Sequence, residues 1–264
     1  MTDLAAERVS LDLTHVIYNA SSDTSFVLAL LTLSPILLMP AYAVLAVHTR
    51  ELTIINMWAG QLLSEGLNLV LKHIFKQERP VDSHLHLNGY GFPSSHSQYM
   101  GYFSAFLICH VYFRHRFALS GSVVLDQLFR IVVYLGLVVW CAIVAYSRFA
   151  LLYHTPHQVK WGLGIGIVLG VSHYVCTELL PAKFPDSMFG RIRSAIVNHP
   201  ISVWLQLRDG WGVWADGGRE AEWKQWRTEW LKQACTSGGE KDGMSFAAKP
   251  LVFYQSDVRS HTIS

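Results

Sequence analysis

The chain has 264 residues, of which 51% are hydrophobic and only 15% charged, and it carries a net charge of +2. Soluble domains carry about 25% charged residues, so this composition points to a membrane protein rather than a soluble one. The net charge is too small to suggest a nucleic-acid partner, and the four cysteines suggest no secreted disulfide framework.

The first 20 residues are not expected to form a secretory signal. Asp3, Glu7 and Asp12 stand where a positive start would be needed, and no early apolar run follows. Five apolar segments of roughly spanning length come next, predicted at 25–47, 52–74, 98–113, 128–146 and 159–180. Pro35 and Pro40 fall inside the first, which membrane bundles tolerate because neighbouring groups satisfy the freed backbone. The third is short and rich in Gly, Ser and aromatics. The fifth carries Gly162, Gly164, Gly166 and Gly170, small residues that let helices approach closely. Buried helices of a soluble α-protein would need a far larger polar shell. The expected fold class is all-α, a polytopic membrane helical bundle of about five transmembrane helices. Cys109, Cys141 and Cys176 read as small buried hydrophobes, and Cys235 as a free thiol facing a reducing compartment.

Beyond the fifth segment the composition changes. Trp204, Trp211, Trp214, Trp223, Trp226 and Trp230 cluster there, and tryptophan favours the membrane interface. Residues 220–232 suit either an amphipathic interfacial helix or a small packed hairpin. Residues 237–264 are polar and Gly-rich, which predicts disorder. The expected organisation is an N-terminal lumenal segment (1–24), a catalytic membrane domain (25–180), a cytosolic or interfacial Trp-rich region (181–236) and a tail (237–264).

Three polar motifs interrupt the apolar pattern. Lys72 and Arg79, seven residues apart with Pro80 following, end segment two. An unbroken helix would put them on one side, with Arg79 near its end because Pro80 cannot extend it. Pro93-Ser94-Ser95-His96 begins segment three, where Ser94 or Ser95 can cap the helix and leave backbone N–H groups for an anion. Ser147-Arg148, with His154 six residues on, joins segments four and five in a stretch short enough to fold back. Because segments alternate direction, all three motifs emerge on one face. Arginine offers a planar fork for phosphate oxygens and lysine a mobile point charge. Two histidines supply a nucleophile and an acid/base. Read singly, each motif is also compatible with an interfacial anchor, and that reading suits Lys76. His84 and His86 are a weak His-x-His pair, His110 and His173 read as packed polar groups, and no spacing makes a metal site. The basic loop Arg114-His115-Arg116 lies on the opposite face, which by the positive-inside rule places the C-terminus in the cytosol and the motifs in the lumen or exterior. Asn19-Ala20-Ser21 is a glycosylation sequon on the motif side, too close to segment one to be used.

Together these residues resemble the type 2 phosphatidic acid phosphatase (PAP2) superfamily, whose pattern is K-x6-R-P, then P-S-G-H, then S-R-x5-H-x3-D. Ser95 stands where Gly is frequent, and Gln158 replaces the final Asp. Leu13-Thr14-His15 with Tyr18, Leu33-Ser34-Pro35, Phe92 through Gln98, Leu152 through Thr155 and Gln158-Val159 are similar to the dolichyldiphosphatase branch, and Leu207-Arg208-Asp209 also fits it. The resemblance covers about residues 10–210. It implies a metal-independent, cofactor-free, two-step phosphoryl transfer. His154 would attack the terminal phosphorus, His96 would protonate the leaving lipid phosphate and then activate water, and Lys72, Arg79, Ser94, Ser95 and Arg148 would hold the phosphate. Gln158 would orient His154 through its amide oxygen, without the charge of a carboxylate; His157 is a less apt orienter. The implied substrate is dolichyl diphosphate, at the lumenal face of the endoplasmic reticulum membrane, in recycling the carrier lipid of protein N-glycosylation. Phosphatidate or another isoprenoid diphosphate is the alternative substrate. A non-catalytic lipid-binding membrane protein is the alternative of another class.

Overall fold

Helices occupy all five apolar segments, and each is longer than its sequence signal. The computed structural model describes residues 8–11, 16–80, 90–117 and 122–238. The sequence features at 13–15, His84, His86 and 239–264 lie outside them. The chain opens with a feature the all-α expectation lacked, an antiparallel hairpin of β1 (Arg8–Leu11) and β2 (Val16–Asn19), with Ile17 opposite Ser10.

The first span is two helices in line, α1 (Asp23–Thr32) and α2 (Ser34–Thr49). Ser22 caps α1 by accepting from the Ser25 N–H, and Pro35 falls in the first turn of α2, where its missing N–H costs nothing. Then follow α3 (Leu52–Phe75), α4 (Ser95–Phe113), α5 (Val123–Ala150) and α6 (Pro156–Tyr174). A π-helical turn (Val175–Leu179) and α7 (Leu180–Lys183) continue α6.

Among the described residues, three helical stretches are long and apolar enough to cross a membrane: Asp23–Thr49, Val123–Ala150 and Pro156–Lys183. On α5, Val124, Leu128, Ile131, Leu135 and Val138 are all exposed at helical spacing, a stripe suited to lipid. Helices α3 and α4 fall short in apolarity because their polar groups face other helices. Gln61, Ser64 and Asn68 on α3 and Ser97, Gln98 and His110 on α4 are all buried. Asn68 donates to Gln98 Oε1 at 2.8 Å, and Gln98 donates to Ser64 O at 2.8 Å. Helix α4 lies between α3, α5 and α6, with Met100, Tyr102 and Phe106 fully buried in the core. It meets α6 backbone to backbone. A Cβ on Gly162, Gly166 or Gly170 would lie 2.5, 2.1 or 2.6 Å from the carbonyl oxygens of Ser94, Gln98 and Tyr102. Gly164 faces open space, so three of the four predicted glycines form the contact.

At the far end of the bundle come α8 (Met188–Val197), α9 (Pro200–Trp204) and α10 (Gly210–Val213), capped by Ser187, His199 and Asp209 side chains. Arg193 on α8 forms a bidentate pair with Asp209 at 2.7 and 2.8 Å and reaches the fully buried Glu178 of the π-turn at 3.0 Å. Burial would raise the Asp209 pKa, but the Arg193 contacts hold it below the usual carboxylate range. Arg208 pairs with buried Glu51, and Leu52 N–H donates to Arg208 O at 2.8 Å. The Leu207-Arg208-Asp209 stretch therefore fastens the C-terminal region to the bundle. Residues 220 onward form a second unit. It contains most of α11 (Arg219–Gly238), a helix rather than a hairpin, running two residues into the stretch expected to be disordered. Trp223, Trp226 and Trp230 are about half exposed, and the last two stack at 5.9 Å.

Candidate active site

The three motifs converge. Lys72 sits in the last turn of α3, but the helix stops at Phe75, where Lys76 takes a left-handed conformation (φ 46°) and closes the end by donating to Lys72 O. Arg79 is thus delivered by a chain reversal and not by an unbroken helix. Two bonds hold that reversal: Gly91 N–H to Gln77 O at 2.7 Å, and Gln158 Nε2 to Glu78 O at 2.9 Å. Gly91 has no room for a side chain, since a Cβ would lie 2.8 Å from Gln158 Nε2 and 3.1 Å from Arg79 Cγ.

Ser94 stands at the N-cap of α4, fully buried, but its hydroxyl caps nothing. It accepts from Ser97 Oγ at 3.0 Å, while its N–H donates to Gln158 O at 3.2 Å. Ser95 and His96 form the first turn and stay partly exposed. The first N–H groups of a helix lack partners within it, so this turn presents donors to an anion. His96 interacts electrostatically with Arg148, His154, Lys72 and Arg79.

The third motif folds back as its spacing suggested. Leu152 adopts φ 62°, and both Tyr153 and His154 donate their N–H to Arg148 O at 3.1 Å. Arg148 is 5% exposed, with its Cζ 4.0 Å from the centre of the Tyr153 ring. Arg79 Nε and Arg148 Nε are buried without a hydrogen-bond partner among the described residues. No carboxylate forms a salt bridge with Lys72, Arg79 or Arg148 among those residues. Burial lowers the Arg79 pKa, and Tyr153 acts against that shift.

His154 is 2% exposed. Its Nδ1 lies 2.9 Å from Gly91 O and 3.3 Å from Gln158 Oε1. A carbonyl oxygen only accepts, so Nδ1 carries the proton and Nε2 the lone pair. Burial, reinforced by Arg148, Arg79 and Lys72 and opposed by the Gln158 contact, pushes the His154 pKa down to about 3. The ring is therefore neutral at physiological pH, as a nitrogen nucleophile must be. Gln158 does more than orient it. Its side chain accepts from Thr155 N–H in a capping box that starts α6, while its amide donates to Glu78 O. His157 is engaged elsewhere, accepting from Trp161 Nε1 at 2.9 Å and stacking on Phe92. Among the described residues, no group of three His, Cys, Asp or Glu is placed to hold a metal ion.

The sequence reading did not single out Asn68. One turn before Lys72, it ties α3 to α4 through Gln98. Its signal was the four-residue spacing to Lys72, which puts both on one helix face.

The PAP2 superfamily model matches residues 53–180. Dolichyldiphosphatase 1 of Mus musculus is 36% identical over 200 residues, covering 75% of this chain and 80% of that protein. Dolichyldiphosphatase 1 of Homo sapiens is 35% identical with the same coverage. The dolichyldiphosphatase of Saccharomyces cerevisiae is 31% identical over 185 residues, covering 65% of this chain and 72% of that protein. No solved structure matches.

Proposed function

The chain belongs to the dolichyldiphosphatases of the PAP2 superfamily and is a phosphatase, and we propose that it hydrolyses dolichyl diphosphate to dolichyl phosphate and inorganic phosphate through a phosphohistidine. The observation that carries this reading is His154. It is neutral, its Nδ1 is committed to Gly91 O, and it interacts with three cations that form no salt bridge among the described residues.

In the first step the Nε2 lone pair attacks the terminal phosphorus. An N–P bond forms as the bridging O–P bond breaks, and His96 gives its proton to the departing dolichyl phosphate. In the second step neutral His96 takes a proton from water, whose oxygen attacks phosphorus and releases inorganic phosphate and His154. Lys72, Arg79, Arg148, Ser94, Ser95 and the first N–H groups of α4 hold the phosphoryl oxygens. Fixed cations and donors suit charge spread over these oxygens in the transition state. Gln158 holds the His154 tautomer, and the reaction runs without metal or cofactor.

The site faces the endoplasmic reticulum lumen and the C-terminus the cytosol, consistent with the basic Arg114–Arg116 loop at the other end of the bundle. In that setting the enzyme recycles the lipid carrier of N-glycosylation. Helices α3 and α4 complete a five-span bundle, and the Trp face of α11 lies at the membrane interface. Residues 1–24, 25–180, 181–236 and 237–264 serve as lumenal segment, catalytic domain, interfacial region and tail.

The test is phosphate release from dolichyl diphosphate by purified protein in detergent with chelator, with phosphatidate in parallel and His154→Ala as control. Diphosphate-selective release that survives chelator and vanishes in the variant is the expected result. Preference for phosphatidate overturns the substrate, and no release from either lipid by folded protein overturns the mechanism.

A further inference from the structure

Two buried arginines in this fold are treated in opposite ways. Arg193 is held by two carboxylates, Asp209 and Glu178, which neutralise it. Arg148, the more deeply buried of the two, is held by the ring of Tyr153 at 4.0 Å. A carboxylate beside Arg148 would occupy the guanidinium fork that a phosphate needs. An aromatic face attracts the cation through its quadrupole without cancelling the charge. Tyr153 is itself 4% exposed, and its position is fixed from outside the motif. Its hydroxyl oxygen accepts from the backbone N–H of Ile17, on β2, at 2.8 Å. The same side chain interacts electrostatically with Arg79.

We infer that Tyr153 is a positioning residue that holds Arg148 for the phosphate, and that the N-terminal hairpin is its anchor through the Ile17 N–H. The inference rests on the phosphatase reading above. It assigns the hairpin a part in phosphate binding through a backbone N–H.

The strand geometry supplies a clean test. Ile17 N–H points to Tyr153, and Asn19 N–H, two residues on, points to Ser25 Oγ at 2.9 Å. Alternation along a strand then leaves Val16 and Tyr18 to face β1. A proline at position 17 removes the donor to Tyr153 and no bond of the ladder. The full-length variants Tyr153→Phe, Ile17→Pro, their double and Tyr153→Leu are assayed for dolichyl diphosphate turnover and for competitive inhibition by inorganic phosphate.

Tyr153→Leu is expected to weaken phosphate inhibition and lower kcat/KM by roughly tenfold. Tyr153→Phe and Ile17→Pro, which remove the two ends of one bond, are each expected to give a smaller loss, and the double variant no more than the larger of the two. A merely structural Tyr153 would reduce the active fraction and leave phosphate inhibition where it was, which overturns the inference. Additive losses from Tyr153→Phe and Ile17→Pro overturn the hairpin coupling. If Tyr153→Leu does not fold, the milder pair and their double still decide. An inactive wild-type protein refutes the phosphatase reading instead, so the two failures are distinct.

Discussion

Gln158 Nε2 donates to the carbonyl oxygen of Glu78 at 2.9 Å, one residue before Arg79. The same amide turns its oxygen toward His154 Nδ1 at 3.3 Å. One side chain therefore orients the His154 ring and fixes the stretch that carries Arg79. A carboxylate could do the first and not the second, because it has no hydrogen to donate. Gln158 therefore makes a contact that an aspartate in its place could not make.

Restoring an acid should harm the enzyme. In Gln158→Glu, an anion would face the Glu78 carbonyl, so a part-buried hydrogen bond of about 1 kcal/mol gives way to repulsion between two acceptors. The expected outcome is a fall in kcat/KM of about tenfold or more, on the scale of 1.4 kcal/mol per decade. Gln158→Asp should do no better, since it also shortens the reach. Steady-state kinetics on dolichyl diphosphate decide the matter, and an acidic variant as fast as the wild type would sink the two-headed role.

The neutral, buried His154 makes stability pH-dependent. Its folded pKa is about 3, below the ordinary histidine value of 6.5. Between those values the unfolded chain binds a proton that the folded one does not. Stability from this group is therefore complete above pH 6.5 and is lost as pH falls toward 3. Thermal unfolding in detergent at pH 7.5 and 4.5 should show a drop in Tm that is smaller in His154→Gln. Equal drops in both proteins would assign the acid sensitivity to other groups.

The site was legible in sequence because charge near lipid is expensive. Lys72, Arg79, Arg148, His96 and His154 stood out for that reason, and the turn at Leu152 brings the third motif back as its length allowed. Hydropathy was less informative for α3 and α4, since it cannot distinguish a polar group facing lipid from one such as Gln98 that faces another helix. The hairpin left no signal because four-residue strands are too short for a periodic pattern. The helical expectation for Arg79 failed at Lys76, whose left-handed turn has no mark in a lysine codeable by pattern. The bond between Ile17 and Tyr153 joins residues 136 apart, and no local rule reaches that far.

The α6 glycines separate packing from propensity. A Cβ at Gly166 would lie 2.1 Å from Gln98 O, which is backbone and cannot swing away. Gly166→Ala should therefore push α4 from α6 and lower Tm. It should also lower activity, because Ser94, Ser95 and His96 ride on α4. Gly164 meets nothing within 4 Å, so Gly164→Ala should be neutral or stabilise by up to about 1 kcal/mol through helix propensity. Tm and phosphate release measured on both variants test the contrast, which fails if the two behave alike.

Arg193 carries the opposite kind of burden from Arg148. Glu178 is fully buried, and it also accepts from Thr53 Oγ1 at 3.2 Å and Asn56 Nδ2 at 3.1 Å. Removing the arginine leaves that carboxylate without its cation, and breaking a buried pair in this way costs about 3–5 kcal/mol. Arg193→Met should therefore unfold the C-terminal attachment or lower Tm sharply. Adding Glu178→Gln should recover much of the loss, since the amide needs no cation, its oxygen can accept from Asn56 Nδ2 and its NH2 can donate to the Thr53 hydroxyl. The measurement is Tm for the two single variants and the double. A double variant no more stable than Arg193→Met would mean that the arginine acts through Asp209 and Thr177 O alone, the two other contacts it makes at 2.7 Å.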